Sequence, residues 1–181
     1  MTGKPFLLLA ALVFSASAAM AAPRDANDLR IAYDVAQAVN QYAYFSIFDD
    51  VNVEVEKGAV TLTGKVTMPY KRDEIVKRAA AVDSVRSVRN KITVLPASLW
   101  DDQVRYRAAR AIYGNAGLAN YGLGAHPSIH VIVERGRVTL TGVVNSNVDR
   151  MLARSLVDHL GALSVTNNLK TVAEIRDADE S

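Results

Sequence analysis

An eleven-residue segment occurs twice in the chain, and this repetition constrains the fold more than any other feature of the sequence. Residues 56–66 read EKGAVTLTGKV and residues 134–144 read ERGRVTLTGVV, so eight of the eleven positions are identical. In both copies valine and leucine alternate with polar residues on either side of a glycine, which is typical of a β-hairpin. A repeat of this kind, spaced 78 residues apart, predicts two copies of one structural unit.

The alternation also predicts the register of both hairpins. A two-residue loop at 57–58 and at 135–136 places the alternating valines and leucines on one face of each hairpin. A shift by one residue would turn all of them to the opposite face. The predicted pairs are Val55–Val60, Val53–Leu62, Val133–Val138, Val131–Leu140 and Glu134–Arg137.

Helical patterns flank each hairpin, and a further strand closes each copy. The helices are predicted within residues 27–45, 70–82, 98–114 and 147–160, and the closing strands at 88–94 and 165–172. Asn27 or Asp28 would cap the first helix, while Ser98 and Asp101 have the spacing of a capping box. The fold class is therefore α+β, with two tandem α-β-β-α-β units, each a three-stranded mixed sheet covered on one face by two helices.

These units divide the chain into domains. We expect the first at residues 27–95 and the second at residues 98–173, with a short joint at Pro96. The second half, residues 97–173, is mildly cationic, with eight basic and five acidic residues. The last segment, 174–181, has one basic and four acidic residues and is predicted to form a frayed acidic tail.

The first residues have the layout of a secretory signal peptide. Lys4 precedes an apolar run at 6–14, and small residues end at Ala21, where cleavage is expected. The run is too short to span a membrane, which takes roughly 20 residues. Because the sequence contains no cysteine, it offers neither a disulfide nor a site for a lipid. We therefore expect a periplasmic protein that loses its signal peptide (1–21) and carries no lipid anchor.

The hairpin GxVTLTGxV, the helix after it and the pattern VxxVxNxxxV resemble the BON domain family. The first copy carries the motif at Gly58, Val60, Leu62, Gly64, Val85, Val88 and Asn90. The second carries it at Gly136, Val138, Leu140, Gly142, Val165 and Asn167, with Ala162 in place of the valine at the turn from helix to strand. Tandem pairs behind a signal peptide are a common arrangement in that family. The resemblance implies a non-catalytic protein of the bacterial envelope that binds phospholipid surfaces or envelope proteins and supports envelope integrity or tolerance of osmotic stress.

Six of the repeated residues are interpreted as structural. In each copy the first glycine lies in the hairpin turn, and the second lets a neighbouring strand or helix approach closely. The asparagine of each closing strand is in an inward-facing position, so we expect a buried amide bonded to neighbouring backbone. These residues are Gly58, Gly64, Asn90, Gly136, Gly142 and Asn167.

Charge and motifs argue against nucleic-acid binding, metal binding and catalysis. The formal net charge is +2, whereas nucleic-acid binders usually show a concentrated basic excess. His126 and His130 are four residues apart, but Pro127 and the strand after it break the helix that would bring them to one metal ion. Asp49 and Asp50 have the character of a solvated turn. We therefore predict no enzyme, no cofactor and no metal site.

One helix face of the second unit is a candidate binding site. An indole, an amide, a phenol and two guanidinium groups form a strip beside its apolar stripe. Tryptophan and tyrosine favour the boundary between lipid headgroups and acyl chains, and arginine matches phosphate oxygens. The predicted lipid-binding residues are Trp100, Gln103, Tyr106, Arg107 and Arg110. The alternative is that Trp100 is a core or interface residue and the arginines are merely solvated.

Three functions remain open from the sequence. The first is an exported soluble module that touches an anionic phospholipid surface through this strip. The second is an adaptor on an envelope protein complex, without lipid binding, that uses the uncovered polar face of the first sheet. That face would present Thr61, Thr63, Arg89, Lys91 and Thr93. In the third, one unit only stabilises the other.

Overall fold

The computed structural model describes residues 25–123 and 127–179, in which the order α-β-β-α-β occurs twice. The first unit consists of α1 (Ala26–Asn40), β1 (Asp50–Glu56), β2 (Ala59–Val66), α2 (Pro69–Ala80) and β3 (Ser87–Val94). The second consists of α3 (Leu99–Tyr113), β4 (Ile129–Glu134), β5 (Arg137–Val144), α4 (Asn147–Val157), β6 (Ser164–Asn167), β7 (Lys170–Thr171) and α5 (Val172–Asp179). The predicted signal peptide and His126 lie outside the described residues.

Both hairpins have the predicted register. All five predicted pairs are present, and the turn residues 57–58 and 135–136 have the positive φ angles that a two-residue type I′ turn requires. In each unit the closing strand runs parallel to the second hairpin strand, which gives the orders β1-β2-β3 and β4-β5-β6. The predicted α+β fold class with two tandem units is therefore confirmed.

Each unit has its own hydrophobic core between its sheet and its two main helices. The buried side chains come from alternate strand positions and from one stripe of each helix, as the two periodicities require. Core residues of the first unit include Ile31, Val35, Val39, Leu62 and Ile75, and those of the second include Val104, Ala108, Ile112, Leu140 and Val157. Within residues 25–123 and 127–179, every helix is too short or too polar to cross a membrane.

The closing strand of the second unit is interrupted, so the prediction of one strand over 165–172 is wrong. β6 pairs with β5, the next two residues do not, and β7 pairs with β5 again. The amide of Asn167 accompanies this break: its Oδ1 accepts the N–H of Leu169 at 3.3 Å and its Nδ2 donates to the carbonyl oxygen of Arg150 at 2.8 Å. The detour buries Leu169 in the core.

Asn90 behaves differently from Asn167, its counterpart in the first unit. Its Oδ1 accepts the N–H of Ile92 at 2.9 Å, so it does bond to neighbouring backbone. Its side chain is exposed, however, and the expectation of a buried amide is wrong here. Among the described contacts, Asn90 has no bond to α2 that would match the bond from Asn167 to α4.

The two first helices begin in different ways. Asp25 caps α1 and accepts the N–H of Asn27 at 3.1 Å, so the prediction of Asn27 or Asp28 as the cap is wrong. Ser98 caps α3 and accepts the N–H of Asp101 at 3.2 Å, as predicted. A complete capping box would also need a hydrogen bond from the N–H of the cap residue to the carboxylate three residues later. Asp28 and Asp101 do not accept that bond, because their carboxylates bind the hairpin turns.

The acidic tail is helical along its described length. α5 opens with a capping box in which Thr171 Oγ1 accepts the N–H of Glu174 at 3.2 Å and Glu174 Oε2 accepts the N–H of Thr171 at 2.8 Å. Arg150 of α4 donates to both carboxylate oxygens of Glu174, at 2.8 and 3.1 Å. These contacts tie the tail to the second unit, so the prediction of a frayed end is wrong for residues 174–179.

Candidate functional site

In each unit an aspartate on the first helix holds the hairpin turn. Asp28 of α1 accepts the N–H groups of Lys57 at 2.6 Å and Gly58 at 2.8 Å. Asp101 of α3 accepts those of residues 135 and 136 at 2.8 and 2.7 Å. We call each such arrangement a turn clasp. It explains why neither carboxylate takes part in capping its own helix.

The second glycine of each hairpin lies where the first strand approaches most closely. Gly64 and Gly142 have φ angles of +122° and +110°. A Cβ atom added at Gly64 would lie 2.1 Å from the carbonyl oxygen of Asp50, and one at Gly142 would lie 1.9 Å from that of Ser128. Both positions therefore have no room for a side chain.

A buried ion pair fixes the loop between α1 and β1. Asp49 is fully buried, and its Oδ2 lies 2.6 Å from Nζ of Lys71, which is itself buried at the start of α2. The carboxylate also accepts hydrogen bonds from the N–H and hydroxyl groups of Ser46 and Thr67 at 2.7 to 2.9 Å. The interpretation of Asp49 as a solvated turn residue is therefore wrong.

These partners determine how Asp49 ionises. Burial raises the pKa of a carboxyl group because it penalises the charged form. Hydrogen bonds from Lys71, Thr67 and Ser46 outweigh burial here and hold the pKa of Asp49 below its ordinary value. The charged carboxylate anchors the loop within the first unit.

The anchored loop covers the outer edge of β4 in the second unit. The carbonyl oxygen of Ile47 accepts the N–H of Val131 at 2.7 Å, and Nδ1 of His130 donates to the carbonyl oxygen of Asp49 at 2.6 Å. Beside these contacts lies an open cavity of about 630 Å³. Its lining includes Phe45, Ile47, Asp50, Pro127, His130 and Val143. The two units therefore touch through a strand edge and share a groove.

Side chains complete this contact between the units. Lys65 of β2 forms an ion pair with Glu134 at the end of β4. The ring of Phe48 packs edge-on against Tyr106 of α3, with ring centroids 5.4 Å apart. Tyr106, one of the predicted lipid-binding residues, therefore also contacts the first unit.

The structure leaves all five predicted lipid-binding residues at the surface of α3. Trp100 is 52% exposed and Tyr106 is 67% exposed, and Gln103, Arg107 and Arg110 are exposed as well. The alternative that Trp100 is a core residue is therefore wrong.

Trp100 lies at the start of α3, close to the turn that follows α4. Its Cζ2 atom is 3.9 Å from the position of a Cβ at Gly161, in the turn after α4. Leu163 packs against Gly136 of the second turn clasp, and both Leu163 and Leu99 are largely exposed. Sequence reasoning missed both leucines, because single exposed leucines are common on protein surfaces. Leu99 is the residue before Trp100, whereas Leu163 is brought to this end of the unit by the fold, because it packs against Gly136, which is bound to Asp101.

The two arginines of the strip differ from their neighbour Arg105. In the described part of the chain, neither Arg107 nor Arg110 makes an ion pair. Arg105 is buried, pairs with Asp102 and donates to the carbonyl oxygen of Val133 at 2.7 Å. Arg105 therefore fills the space between α3 and the β4 edge, while the other two arginines remain available to an anion.

The outer face of the first sheet is polar, as the adaptor hypothesis requires. Arg89, Lys91 and Thr93 of β3 are exposed, and Thr61 and Thr63 of β2 are half-buried. The corresponding face of the second sheet contains a cavity of about 250 Å³. Its lining includes Lys65, Glu134, Arg137, Thr139, Ser164 and Thr166.

The histidine pair of the sequence does not form a site that the structure describes. His126 lies outside the described residues, and His130 contributes to the contact between the units. In residues 25–123 and 127–179, no three His, Cys, Asp or Glu side chains come close enough together to hold one metal ion.

Comparison with known proteins finds related chains. The sequence model of the BON domain matches residues 27–96 and 115–173. Osmotically-inducible protein Y of Escherichia coli K12 is 33% identical over 126 residues, which cover 67% of this chain and 62% of that protein. The chain thus spans less than two thirds of this relative.

Two solved structures of CdsD, a structural protein of the type III secretion system of Chlamydia trachomatis, also match, one of them a C-terminal domain. They cover 81% of this chain and 96% and 98% of their own, at 16% identity and TM-scores of 0.30 and 0.29.

Proposed function

This chain belongs to the BON domain family, and from that premise we propose that it is an exported, non-catalytic binding module of the bacterial cell envelope that binds anionic phospholipid through the start of α3. The observation that carries the proposal is the setting of Trp100. Its indole is half-exposed at the start of α3, where Leu99 is largely exposed as well, and in the described part of the chain neither Arg107 nor Arg110, further along the same helix, makes an ion pair.

The physical chemistry of this surface suits a headgroup layer. An indole is apolar on its faces and polar at its N–H, so it partitions to the boundary between headgroups and acyl chains. A guanidinium group offers a fork of donors that matches phosphate oxygens. Each arginine near an anionic surface contributes about 1 kcal/mol, an effect that falls off within a Debye length. The binding is therefore weak, peripheral and sensitive to salt.

The cellular role is proposed by analogy with the relative that is named for osmotic induction. On this proposal the protein supports envelope integrity or osmotic-stress tolerance in the periplasm. The proposal includes a signal peptide at residues 1–21, cleaved after Ala21, and two domains at residues 27–95 and 98–173. Sequencing the amino terminus of protein released by osmotic shock checks export, and a first residue other than Ala22 contradicts the cleavage site.

Vesicle flotation tests lipid binding directly. We expect the mature chain to float with vesicles that contain phosphatidylglycerol and to stay behind with pure phosphatidylcholine. Trp100→Glu replaces the exposed indole by a carboxylate and should abolish flotation. Replacing both Arg107 and Arg110 by glutamine should weaken it and reduce its dependence on salt.

Tyr70→Glu is the matched control, because Tyr70 is 53% exposed and lies on α2 of the first unit. This variant should float like the parent. Equal recovery with both kinds of vesicle, or equal flotation of parent and Trp100→Glu, would overturn the proposal. Circular dichroism of each variant ensures that only folded protein is compared.

The adaptor function remains a second candidate, supported by the exposed polar face of the first sheet at Arg89, Lys91 and Thr93. It predicts that an envelope protein crosslinks to this face in cells while the purified chain ignores vesicles. Flotation that depends on Trp100, without a specific crosslink at the sheet, decides against it.

A further inference from the structure

The outer face of the second sheet has two neighbouring rows of paired residues close to the hairpin turn. Residues paired across adjacent strands lie about 5 Å apart, and alternate residues of one strand lie about 7 Å apart on the same face. The side chains of the two rows therefore form one compact patch. The rows are Glu134–Arg137–Ser164 and Ile132–Thr139–Thr166.

This patch is the floor of the cavity of about 250 Å³ on the second sheet. Arg135 of the hairpin turn and Lys65 of the first unit complete its lining. Ile132 is only 4% exposed, although it lies on the outer face of the sheet between two residues of the core face. The cavity is therefore a recess to which both units contribute, and not an open part of a flat sheet.

The charges that line this cavity are not balanced. Its three cationic side chains are Lys65, Arg135 and Arg137, and its one carboxylate is that of Glu134. Glu134 lies opposite Arg137 in the hairpin, but its carboxylate pairs with Lys65. In the described part of the chain, neither Arg135 nor Arg137 makes an ion pair. The contact between the units thus leaves two guanidinium groups of the cavity without a counter-charge.

Hydroxyl groups of two strands line the same cavity. They belong to Thr139 of β5 and to Ser164 and Thr166 of β6. Among the described hydrogen bonds, none involves one of these three hydroxyls. A hydroxyl group donates one hydrogen bond, and a guanidinium group offers a fork of donors that matches the oxygens of a phosphate. The cavity therefore combines two kinds of donor that phosphate oxygens accept.

The repeated hairpin motif alone does not account for this set of donors. The residue 78 positions before Arg137 is Ala59, which has no donor in its side chain. The residue 78 positions before Ile132 is Glu54, whose carboxylate would repel an anion. The same face of the first hairpin is therefore unsuited to an anion, and the donors are a property of the second unit.

We propose that this cavity binds a phosphate monoester group, whose oxygens accept hydrogen bonds from the guanidinium groups of Arg135 and Arg137 and from the hydroxyl groups of Thr139 and Ser164. A phosphate monoester has a charge of about −1.5 to −2 at pH 7, which matches the excess of two positive charges in the lining. A carboxylate has one charge and two oxygens and would leave donors unused. Dissolved esters and lipid headgroups both carry this group, and the test separates them.

The test is a titration of the mature chain with glycerol 3-phosphate at constant ionic strength, followed by ¹⁵N-resolved spectra. We expect saturable shifts that are largest at the amides of residues 135–139 and 164–166. Arg137→Gln should weaken binding about ten-fold or more, because it removes hydrogen bonds to a charged group. Arg89→Gln makes the same change on the exposed outer face of the first sheet and should bind like the parent.

Flotation with vesicles that contain phosphatidic acid, whose headgroup is a phosphate monoester, identifies the source of the group. Saturable binding of the soluble ester supports a dissolved ligand, and flotation that needs Arg137 without such binding supports a headgroup. Failure of both overturns the proposal, as does equal affinity of Arg137→Gln and Arg89→Gln or the same shifts with chloride. Trp100→Glu should bind the soluble ester like the parent, so this outcome is independent of the lipid contact proposed for α3.

Discussion

Among the described residues, three aspartates are buried, and each accepts two or more hydrogen bonds. Asp28 and Asp101 each bind two backbone N–H groups, and Asp49 binds Ser46, Thr67 and Lys71. Hydrogen bonds to an ionised group are roughly twice as strong as neutral ones. At the scale of single residues, the geometry of the loops and turns therefore rests on buried carboxylates.

Asp49→Asn should destabilise the protein, and the effect should depend on pH. The variant leaves Lys71 buried without its counter-charge, which costs about 3–5 kcal/mol in the free energy of unfolding at pH 7. Because the folded pKa of Asp49 lies below its ordinary value of about 3.9, its stabilisation is present above that value. It is lost as the pH falls through the folded pKa. Urea unfolding of parent and variant at pH 7 and at acid pH measures both effects.

Asp50→Asn provides the control, since Asp50 is the next residue and only half-buried. It should change the free energy of unfolding by less than about 1 kcal/mol. If Asp49→Asn and Asp50→Asn were equally stable at pH 7, the buried pair would not have the role assigned to it.

At the scale of elements, the turn clasps join each first helix to its hairpin. The helix and the hairpin pack through the core, but the clasp fixes where the helix begins relative to the turn. Asp28 and Asp101 do this in the same way on two different sequences. The position of the exposed strip on α3, which starts next to Asp101, therefore depends on the second clasp.

Asp101→Ala should loosen the second turn without loosening the first. It leaves two N–H groups without their acceptor, at a cost of about 1–3 kcal/mol. Hydrogen exchange should become faster at Gly136 and stay unchanged at Gly58, and Asp28→Ala should give the reverse. The exposed Asp34→Ala on α1 should alter neither amide. Equal acceleration of both turns by either variant would contradict independent clasps.

The sequence predicts helices and strands well where apolar residues recur at a regular spacing. Alternating valines fixed the hairpin register in advance, because a shift by one residue would expose the whole apolar face. Hydrogen bonds or ion pairs from a side chain to a group far away in the chain produce no regular pattern in the sequence. Asp49 and Asp50 look alike in the sequence, and only the fold shows that one meets Lys71. The strip on α3 follows the helical period and is predicted, whereas Leu163 lies in the segment after α4 and belongs to no such pattern.

At the scale of the whole molecule, the two units touch through a strand edge. Ile47 and Lys65 of the first unit meet Val131 and Glu134 of the second. An uncovered strand edge invites pairing with other chains. The first unit therefore covers a strand edge of the second, which two units without mutual contacts could not do.

Lys65→Glu should open this contact, because it sets two carboxylates against each other. The pair is partly exposed, so the opening equilibrium should shift by about two- to five-fold. Hydrogen exchange at Val131 measures it, and Lys65→Glu combined with Glu134→Lys should restore protection. Lys91→Glu, on the exposed sheet face, is the control. Failure of the double variant to restore protection would show that the ion pair does not hold the edge.

The anchoring of the loop at residues 45–49 has a consequence for the order of folding. Each group that fixes it, Ser46, Asp49, Thr67 and Lys71, lies in the first unit. A chain that leaves the ribosome or a translocation channel amino end first can thus set this loop before β4 has emerged. β4 is made after this loop, so its outer edge meets a cover that is already in place.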